Sequence, residues 1–327
     1  MRDGSVLARR LREGDPRALA RAISLVEDRA PEADALVREA RAGAARPLVV
    51  GITGPPGAGK STLVDRLVSE IRATGRTVGV IAVDPSSPFT GGALLGDRIR
   101  MARQSGDAGV FVRSMGTRGQ LGGLARATAD VAVLMGAAGR DIVIVETVGV
   151  GQDEVDVAGT ADVSVVVLVP GTGDDVQALK AGLMEIGDVF VINKADRDGA
   201  ESLAQAIRAA EHLRRSSGEA EAPVLQTVAT SGAGVSALWT AIENRRPSPA
   251  EAMARQRTRA RRQVEALVAD RALQVIEARA PGALLALAGQ VAAREIDPDA
   301  AVDALLAHLA PASADPPHRG DGGEPRR

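Results

Sequence analysis

The residues best suited to chemistry lie in a short glycine-rich segment, where positions 54–61 read GPPGAGKS. The segment matches G-x-x-x-x-G-K-[ST] at every fixed position, and it follows an apolar run and opens a helical pattern. We expect backbone N–H groups from Gly57 onward to surround a β-phosphate at the positive end of that helix. Lys60 should bridge the β- and γ-phosphates, Ser61 should ligate Mg²⁺, and Thr62 should face the α-phosphate. The predicted phosphate-binding residues are Gly54, Gly57, Ala58, Gly59, Lys60, Ser61 and Thr62.

A second signal, the sequence NKAD beginning at Asn193, predicts which base is bound. The Asp196 carboxylate can accept hydrogen bonds from the N1–H and the N2 amine of guanine, whereas adenine offers neither donor. Asn193 is expected to support the loop and the purine edge, and the stem of Lys194 to cover the face of the base. Thr230 and Ser231, which follow a later apolar run, are predicted to form the last base-contacting loop.

An acidic residue at the end of the apolar run IVIV predicts where a metal ion is held in the site. Glu146 ends this run, and the N–H of Gly149 is then placed to sense a γ-phosphate. Val150 stands where many GTPases carry a glutamine that orients the attacking water, so slow hydrolysis is expected without a partner. Gln152 and Asp153 are close enough in sequence to be candidates for orienting that water.

Two further signals lie between these motifs. The segment VDPSSP, which contains Asp84, and a later GDR, which contains Asp97, place two acids in a flexible Gly/Ser/Pro stretch. This stretch follows a predicted strand, and open α/β sheets bind ligands at the carboxyl ends of their strands. Lysine is also rare: the chain has three lysines and 37 arginines, and two of the lysines are Lys60 and Lys194. The scarcity makes the third, Lys180, a candidate functional residue.

The composition argues against several classes of protein. Aromatic residues make up 1% of the chain and the net charge is −2. These values disfavour stacking on single-stranded nucleic acid and give no basic field for nucleic acid or an anionic membrane. The absence of cysteine excludes disulfides and thiolate metal sites. No apolar run reaches about 18 residues and no signal-peptide core is seen, so we expect a cytoplasmic protein without a membrane partner.

The pattern of apolar runs predicts an α/β fold, a P-loop NTPase with a mostly parallel central sheet flanked by helices. The near-continuous Val/Ile runs indicate strands that are buried on both faces. The predicted strands are Pro47–Thr53, Thr77–Val83, Gly109–Val112, Asp141–Val145, Val163–Val169, Val189–Ile192 and Val224–Val228. We divide the chain into an N-terminal helical extension (1–46), a nucleotide-binding G domain (47–246), a C-terminal helical arm (247–310) and a disordered tail (311–327).

Four segments taken together resemble one family. They are GPPGAGKST, VDPSSPFTGGALLGDRIRM, ETVGVGQDEVDVAGTADV and PGTGDDVQALKAGLMEIGDVFVINKAD. They resemble the methylmalonyl-CoA mutase-associated GTPases, the group that includes the human methylmalonic aciduria type A protein and proteins named as lysine/arginine/ornithine transport ATPases or kinases. The resemblance covers roughly residues 10–300.

The resemblance implies a GTP-hydrolysing chaperone for an adenosylcobalamin-dependent acyl-CoA mutase such as methylmalonyl-CoA mutase. Such proteins gate delivery of the cofactor from an adenosyltransferase and help to eject damaged cofactor. Homodimers are implied as well, with the C-terminal helical arm making the subunit contacts. Which acyl-CoA mutase is served stays open, since methylmalonyl-, ethylmalonyl- and isobutyryl-CoA mutases all fit.

The resemblance also implies roles for individual residues. Asp84 and Asp97 resemble switch I acids near Mg²⁺, residues 149–156 resemble switch II, and residues 170–188 resemble a third switch that contains Lys180. The expected ligands are GTP or GDP and Mg²⁺. The residues predicted to act in hydrolysis are Lys60, Asp97, Glu146, Gln152 and Lys180, and the predicted Mg²⁺ ligands are Ser61, Asp84, Asp97 and Glu146.

Two alternatives belong to other functional classes. A nickel metallochaperone GTPase would share the fold, but it needs a Cys/His metal site, and the chain has no cysteine and three scattered histidines. A transport-linked protein kinase would need a catalytic base for a protein acceptor and a route across a membrane. Neither of these features is visible in the sequence.

Overall fold

The computed structural model describes residues 2–42, 46–84, 106–116, 123–147, 160–171, 183–214 and 221–309. Its strands are β1 (Leu48–Thr53), β2 (Val78–Asp84), β3 (Val110–Gly116), β4 (Ile142–Thr147), β5 (Val163–Leu168), β6 (Val189–Asn193) and β7 (Val224–Thr227). Its helices are α1 (Arg2–Arg12), α2 (Pro16–Glu27), α3 (Ala33–Arg41), α4 (Lys60–Ala73), α5 (Gly123–Ala137), α6 (Leu183–Ile186), α7 (Ala200–Arg214), α8 (Val235–Asn244), α9 (Pro249–Arg279), α10 (Ala283–Ala292) and α11 (Pro298–Ala307).

The described strands form one sheet in the order β3-β2-β4-β1-β5-β6-β7, and every pair is parallel. This confirms the predicted α/β fold. Strands β1, β4, β5 and β6 are buried at every position, as their continuous apolar runs require. Because the strands are parallel, the carboxyl ends of β1, β4 and β6 meet at one edge, which we call the carboxyl edge.

Helices cover both faces of the sheet. On one face, Leu63 and Leu67 of α4 pack with Leu238 and Trp239 of α8. On the other face, α5 contacts β2 and β4, and the three N-terminal helices pack over α5. The two layers bury the strands, so the described residues at the carboxyl edge are attached to a packed core.

The start of α2 shows how local chemistry sets an element boundary. Asp15 has extended backbone geometry, and its Oδ1 accepts hydrogen bonds from the backbone N–H groups of Arg17 at 2.8 Å and Ala18 at 3.3 Å. Pro16 follows at the first helical position, where its missing N–H is harmless. Capping by Asp15 and the fixed backbone angle of Pro16 therefore set where this helix begins.

The chain divides into two compact units, residues 1–259 and residues 260–327. The second unit, described up to residue 309, holds the rest of α9 together with α10 and α11. Its buried apolar residues within the described range are Ile276, Ala301 and Leu305. Its large exposed apolar side chains are Val264, Val268, Leu273, Val275, Leu284, Leu285, Val302 and Leu306. Among the described helices of the whole chain, none has the length and apolar character needed to cross a membrane.

Candidate nucleotide-binding site

The glycine-rich loop between β1 and α4 has a backbone that its sequence explains. Gly54 has φ +142°, and a Cβ there would lie 2.0 Å from the carbonyl oxygen of Val167. Gly59 has φ +83°, and a Cβ there would lie 2.6 Å from Nδ2 of Asn193. Gly57 differs, since no atom lies within 4 Å of the position its Cβ would take. Two glycines of the motif thus allow close packing against neighbouring segments, whereas a side chain at Gly57 would extend into open space.

Lys60 and Ser61 lie where this loop becomes α4. The Lys60 ammonium is buried and donates to the carbonyl oxygens of Gly54 at 2.6 Å and Pro55 at 3.0 Å. The Ser61 hydroxyl donates to Oε1 of Glu146 at 2.5 Å. Glu146 reaches this position because β4 lies beside β1, with Glu146 in register with Ile52. The structure therefore brings together two residues that are 85 positions apart in the chain.

The pairing of Ser61 with Glu146 suits Mg²⁺. A hydroxyl and a carboxylate are hard oxygen donors, and Mg²⁺ is commonly held by one or two such groups together with substrate phosphates. Asp84 ends β2, the strand next to β4, so its backbone lies at the same edge of the sheet. Asp97 lies outside the described residues. Within the described ranges, no group of three or more His, Cys, Asp or Glu side chains forms a metal cluster.

Asn193 connects three segments of the carboxyl edge. Its Nδ2 donates to the carbonyl oxygen of Ala58 at 2.8 Å. Its Oδ1 accepts from the hydroxyl of Thr227 at 3.2 Å and from the N–H of Ala229 at 3.1 Å. The side chain is buried. Asn193 therefore ties the phosphate loop, the end of β6 and the loop after β7 into one unit.

The two residues predicted to enclose the base lie just beyond Asn193. Lys194 has φ +57°, and its ammonium donates to the carbonyl oxygen of Gly57 at 2.8 Å. Its side chain thus reaches back to the phosphate loop. Asp196 is exposed, and its carboxylate has no hydrogen-bond partner within the described part of the chain. An exposed carboxylate two residues after Lys194, which is bonded to the phosphate loop, is suited to accept hydrogen bonds from a ligand.

The loop after β7, residues 228–234, contains the predicted base-contacting residues Thr230 and Ser231. A bridge between Val228 and Ala233 closes it, and Gly234 at φ +77° caps α8. Arg66 of α4 fastens the loop, with Nε donating to the carbonyl oxygen of Ala229 at 3.2 Å and Nη2 donating to that of Thr230 at 2.6 Å. Sequence reasoning missed Arg66, because no motif marks it and its partners lie more than 160 residues away.

The predicted site residues thus fall into two groups. Five lie outside the described residues: Asp97, Gly149, Gln152, Asp153 and Lys180. The others that the structure describes lie at the carboxyl edge, at Gly54, Gly57, Ala58, Gly59, Lys60, Ser61, Thr62, Asp84, Glu146, Asn193, Lys194, Asp196, Thr230 and Ser231. Residues predicted to bind phosphate, metal and base, from five separate segments of the chain, therefore share one edge of the sheet.

The comparison with known families decides the affiliation. Residues 19–280 match the family model described as Methylmalonyl Co-A mutase-associated GTPase MeaB. The chain belongs to this family. The predicted family resemblance is confirmed, and guanine-nucleotide binding is the activity that the family and the P-loop fold support.

Individual relatives agree with the family match. A protein of Pyrococcus horikoshii that is named as a GTPase is 47% identical over 306 residues, which are 92% of this chain and 96% of that protein. GTPase ArgK of Escherichia coli is 42% identical over 72% of this chain and 73% of its own length. A crystal structure of LAO/AO transport system kinase covers 94% of this chain and 97% of its own, with a TM-score of 0.69 and 29% identity.

Proposed function

We propose that this protein hydrolyses GTP to GDP and phosphate, and thereby gates the delivery of adenosylcobalamin to an acyl-CoA mutase such as methylmalonyl-CoA mutase. The proposal includes protection or reactivation of that mutase and transfer of the cofactor from an adenosyltransferase. The observation that carries it is the match to a family described as associated with methylmalonyl-CoA mutase. The arrangement of Lys60, Ser61, Glu146 and Asp196 supports the nucleotide part of the proposal.

Each residue has a defined part in this proposal. Bound Mg²⁺ would neutralise charge on the β- and γ-phosphate oxygens. Ser61 and Glu146 would hold it, with Asp84 and Asp97 as further ligands. Backbone N–H groups of the phosphate loop would bind the β-phosphate, and the Gly149 N–H the γ-phosphate. Asp196 would select guanine.

Hydrolysis by the isolated protein is expected to be slow. Val150 occupies the place of a water-orienting glutamine, and Gln152 is the proposed substitute. Lys60 already neutralises phosphate charge, so Lys180 is proposed to act when the partner orders its Gly/Asp-rich segment. In this mechanism the mutase completes the catalytic site.

We propose a cytoplasmic homodimer without a nucleic-acid or membrane partner. Eight large apolar side chains of the described part of the second unit are exposed, and they support the proposal because contacts with a second subunit would remove them from water. Leu285 is 80% exposed and Val268 is 63% exposed. Both belong to the C-terminal helices that the family resemblance assigns to dimerisation.

The test measures GTP hydrolysis with and without methylmalonyl-CoA mutase, for the wild type and for Lys180→Ala. Arg208→Ala, which removes an exposed arginine of α7, is the control. Lys180→Ala should keep its GTP and GDP affinities within about threefold of the wild type, a change under ~0.7 kcal/mol. It should lose the stimulation by the mutase, whereas Arg208→Ala should retain it.

Three results would contradict the proposal. A wild type that binds ATP as tightly as GTP would reject the guanine site. Transfer of the γ-phosphate to a protein acceptor would favour the kinase alternative. Full stimulation of Lys180→Ala by the mutase would reject the role of Lys180 and leave the GTPase assignment in place.

A further inference from the structure

Arg66 links the phosphate-binding helix to the loop predicted to contact the base. It lies in α4, six residues after Lys60, and its guanidinium donates to two consecutive carbonyl oxygens of the loop at residues 228–234. The side chain is partly buried, and the distances are 3.2 Å to the oxygen of Ala229 and 2.6 Å to that of Thr230. A planar guanidinium with several donors is suited to hold two acceptors in a fixed relation.

The bond to Ala229 also sets the direction of a neighbouring N–H group. In a trans peptide the C=O and the N–H point in opposite directions, and the chain has no cis peptide bond among its described residues. The Ala229 carbonyl and the Thr230 N–H belong to the same peptide group. Because Arg66 holds this carbonyl on the α4 side, the Thr230 N–H points away from α4. Asn193 holds the other side of Ala229 by accepting its N–H at 3.1 Å.

The backbone N–H of Thr230 is also the one donor from residue 229 to residue 233 that has no acceptor within the described part of the protein. The other N–H groups from residue 229 to residue 233, those of Ala229, Ser231, Gly232 and Ala233, donate within the protein. The Thr230 N–H has no acceptor within the described part of the chain, and Thr230 is exposed. Hydrogen bonding of a cation to the carbonyl of the same peptide polarises this N–H and strengthens it as a donor.

We infer that Arg66 is a positioning residue for guanine recognition, which aims the Thr230 N–H at the C6 carbonyl oxygen of the base. The inference rests on the proposed binding of GTP and GDP. Guanine carries this acceptor next to the N1–H that Asp196 is proposed to bind. Adenine carries an amino group there, so two donors would face each other. The Thr230 N–H, which Arg66 positions, and the Asp196 carboxylate would thus bind neighbouring groups on the same edge of guanine.

The test replaces the oxygen that Thr230 is proposed to contact. Calorimetry gives dissociation constants for GDP and for 6-thio-GDP, whose sulfur is a weak acceptor while the N1–H and N2 amine are kept. The wild type should bind GDP more tightly than 6-thio-GDP. Arg66→Ala should weaken GDP binding by about tenfold, the scale of one hydrogen bond to a well-aimed donor, and bring the ratio of the two constants close to one.

Two further variants separate positioning from stability. Arg66→Lys keeps a cationic donor and should retain part of the preference for GDP over 6-thio-GDP. Arg72→Ala removes another arginine of α4, which is bonded to Asp107 at the opposite edge of the sheet, and should lower stability with the preference unchanged. Alanine suits a helix, so both alanine variants should fold.

The outcomes are distinct. If Arg66→Ala keeps the wild-type ratio, or if the wild type binds both nucleotides equally, Arg66 has no role in reading the base. If the wild type binds no GDP, the proposed function itself fails before any variant is considered.

Discussion

The two edges of the sheet fasten their loops in different ways. At the carboxyl edge, Asn193, Lys194 and Arg66 each donate to backbone carbonyl oxygens of another segment. At the opposite edge, which we call the amino edge, aspartates that come just before the strands accept hydrogen bonds. Asp162 accepts from the N–H of Val49 at 3.0 Å, and Asp188 accepts from the N–H of Ser164 at 2.9 Å.

Arginines complete the amino edge by pairing with these acids. Arg46 is bonded to Asp162, and Arg255 lies 3.4 Å from Asp188. Arg72 binds Asp107 through two nitrogens, at 2.8 and 3.1 Å. Charges there are neutralised within the protein, and the arrangement stabilises the fold.

The difference teaches what each kind of contact does. A side chain that donates to a carbonyl fixes the orientation of a whole peptide group, and so directs the N–H on its other side toward a ligand. Arginines of the amino edge also donate to carbonyl oxygens, as Arg255 does to that of Asp162 at 2.5 Å, but these peptides lie at the end of the sheet opposite the predicted nucleotide site. We therefore expect substitutions at the carboxyl edge to change nucleotide binding, and substitutions at the amino edge to change the free energy of unfolding.

The largest effect is expected for Asp196→Ala. If the carboxylate makes two charge-assisted hydrogen bonds to guanine, the variant should lose roughly 3–4 kcal/mol of preference for GTP over ATP. Because Asp196 is exposed, the melting temperature of the variant should stay near that of the wild type. Calorimetric titration with both nucleotides and a thermal scan measure the two quantities. An unchanged preference would mean that the base is read elsewhere.

A smaller effect, on the free energy of unfolding and not on nucleotide binding, is expected for Asp162→Ala. The buried Asp162 carboxylate accepts the N–H of the buried Val49, and an unsatisfied buried N–H together with the lost Arg46 bond should lower the free energy of unfolding by about 2–3 kcal/mol. The folded variant should bind GDP as the wild type does. Urea denaturation and calorimetry test this, and a change confined to nucleotide affinity would contradict the division between the two edges.

The smallest effect concerns the pH dependence of stability. Burial raises the pKa of Asp130 in α5, although Arg41 and Arg126 lie close to it. As pH rises above 3.8, the unfolded chain loses this proton before the folded chain does, so stability falls up to the raised pKa. Asp130→Asn removes the titration and should gain stability relative to the wild type over that window.

Asp107 provides the comparison, because its hydrogen bond to Arg72 lowers its pKa. The contribution of Asp107 to the free energy of unfolding is present above pH 3.8 and is lost as pH falls through the lowered pKa. Asp107→Asn should therefore lose stability relative to the wild type as pH rises. Denaturation of both variants between pH 3 and 7 measures the two slopes, and slopes of the same sign would contradict the assignment.

Sequence alone predicted the strands well where burial is complete, and less well for β3, the outermost strand on one side of the sheet. The run Gly109–Val112 predicted only the first part of β3, which extends from Val110 to Gly116. The apolar pattern stops at Arg113, but β3 is the edge strand, and Arg113 is bonded to Glu27 of α2. A polar residue can continue a strand when a neighbouring helix supplies its partner, and a run of apolar letters does not record that partner.

What the sequence by itself determined is local in origin: the glycines and Lys60 of the phosphate loop, the acid that ends β4, the NKAD motif, and the parallel sheet implied by buried Val/Ile runs. These follow from backbone conformation, hydrogen-bonding groups and burial within a few residues. The tertiary structure alone decided that Asn193 bonds to the carbonyl oxygen of Ala58 and that Arg66 holds Ala229 and Thr230. Their partners are 135 and more than 160 residues away, and only the stacking of parallel strands and helices brings such groups within hydrogen-bond distance.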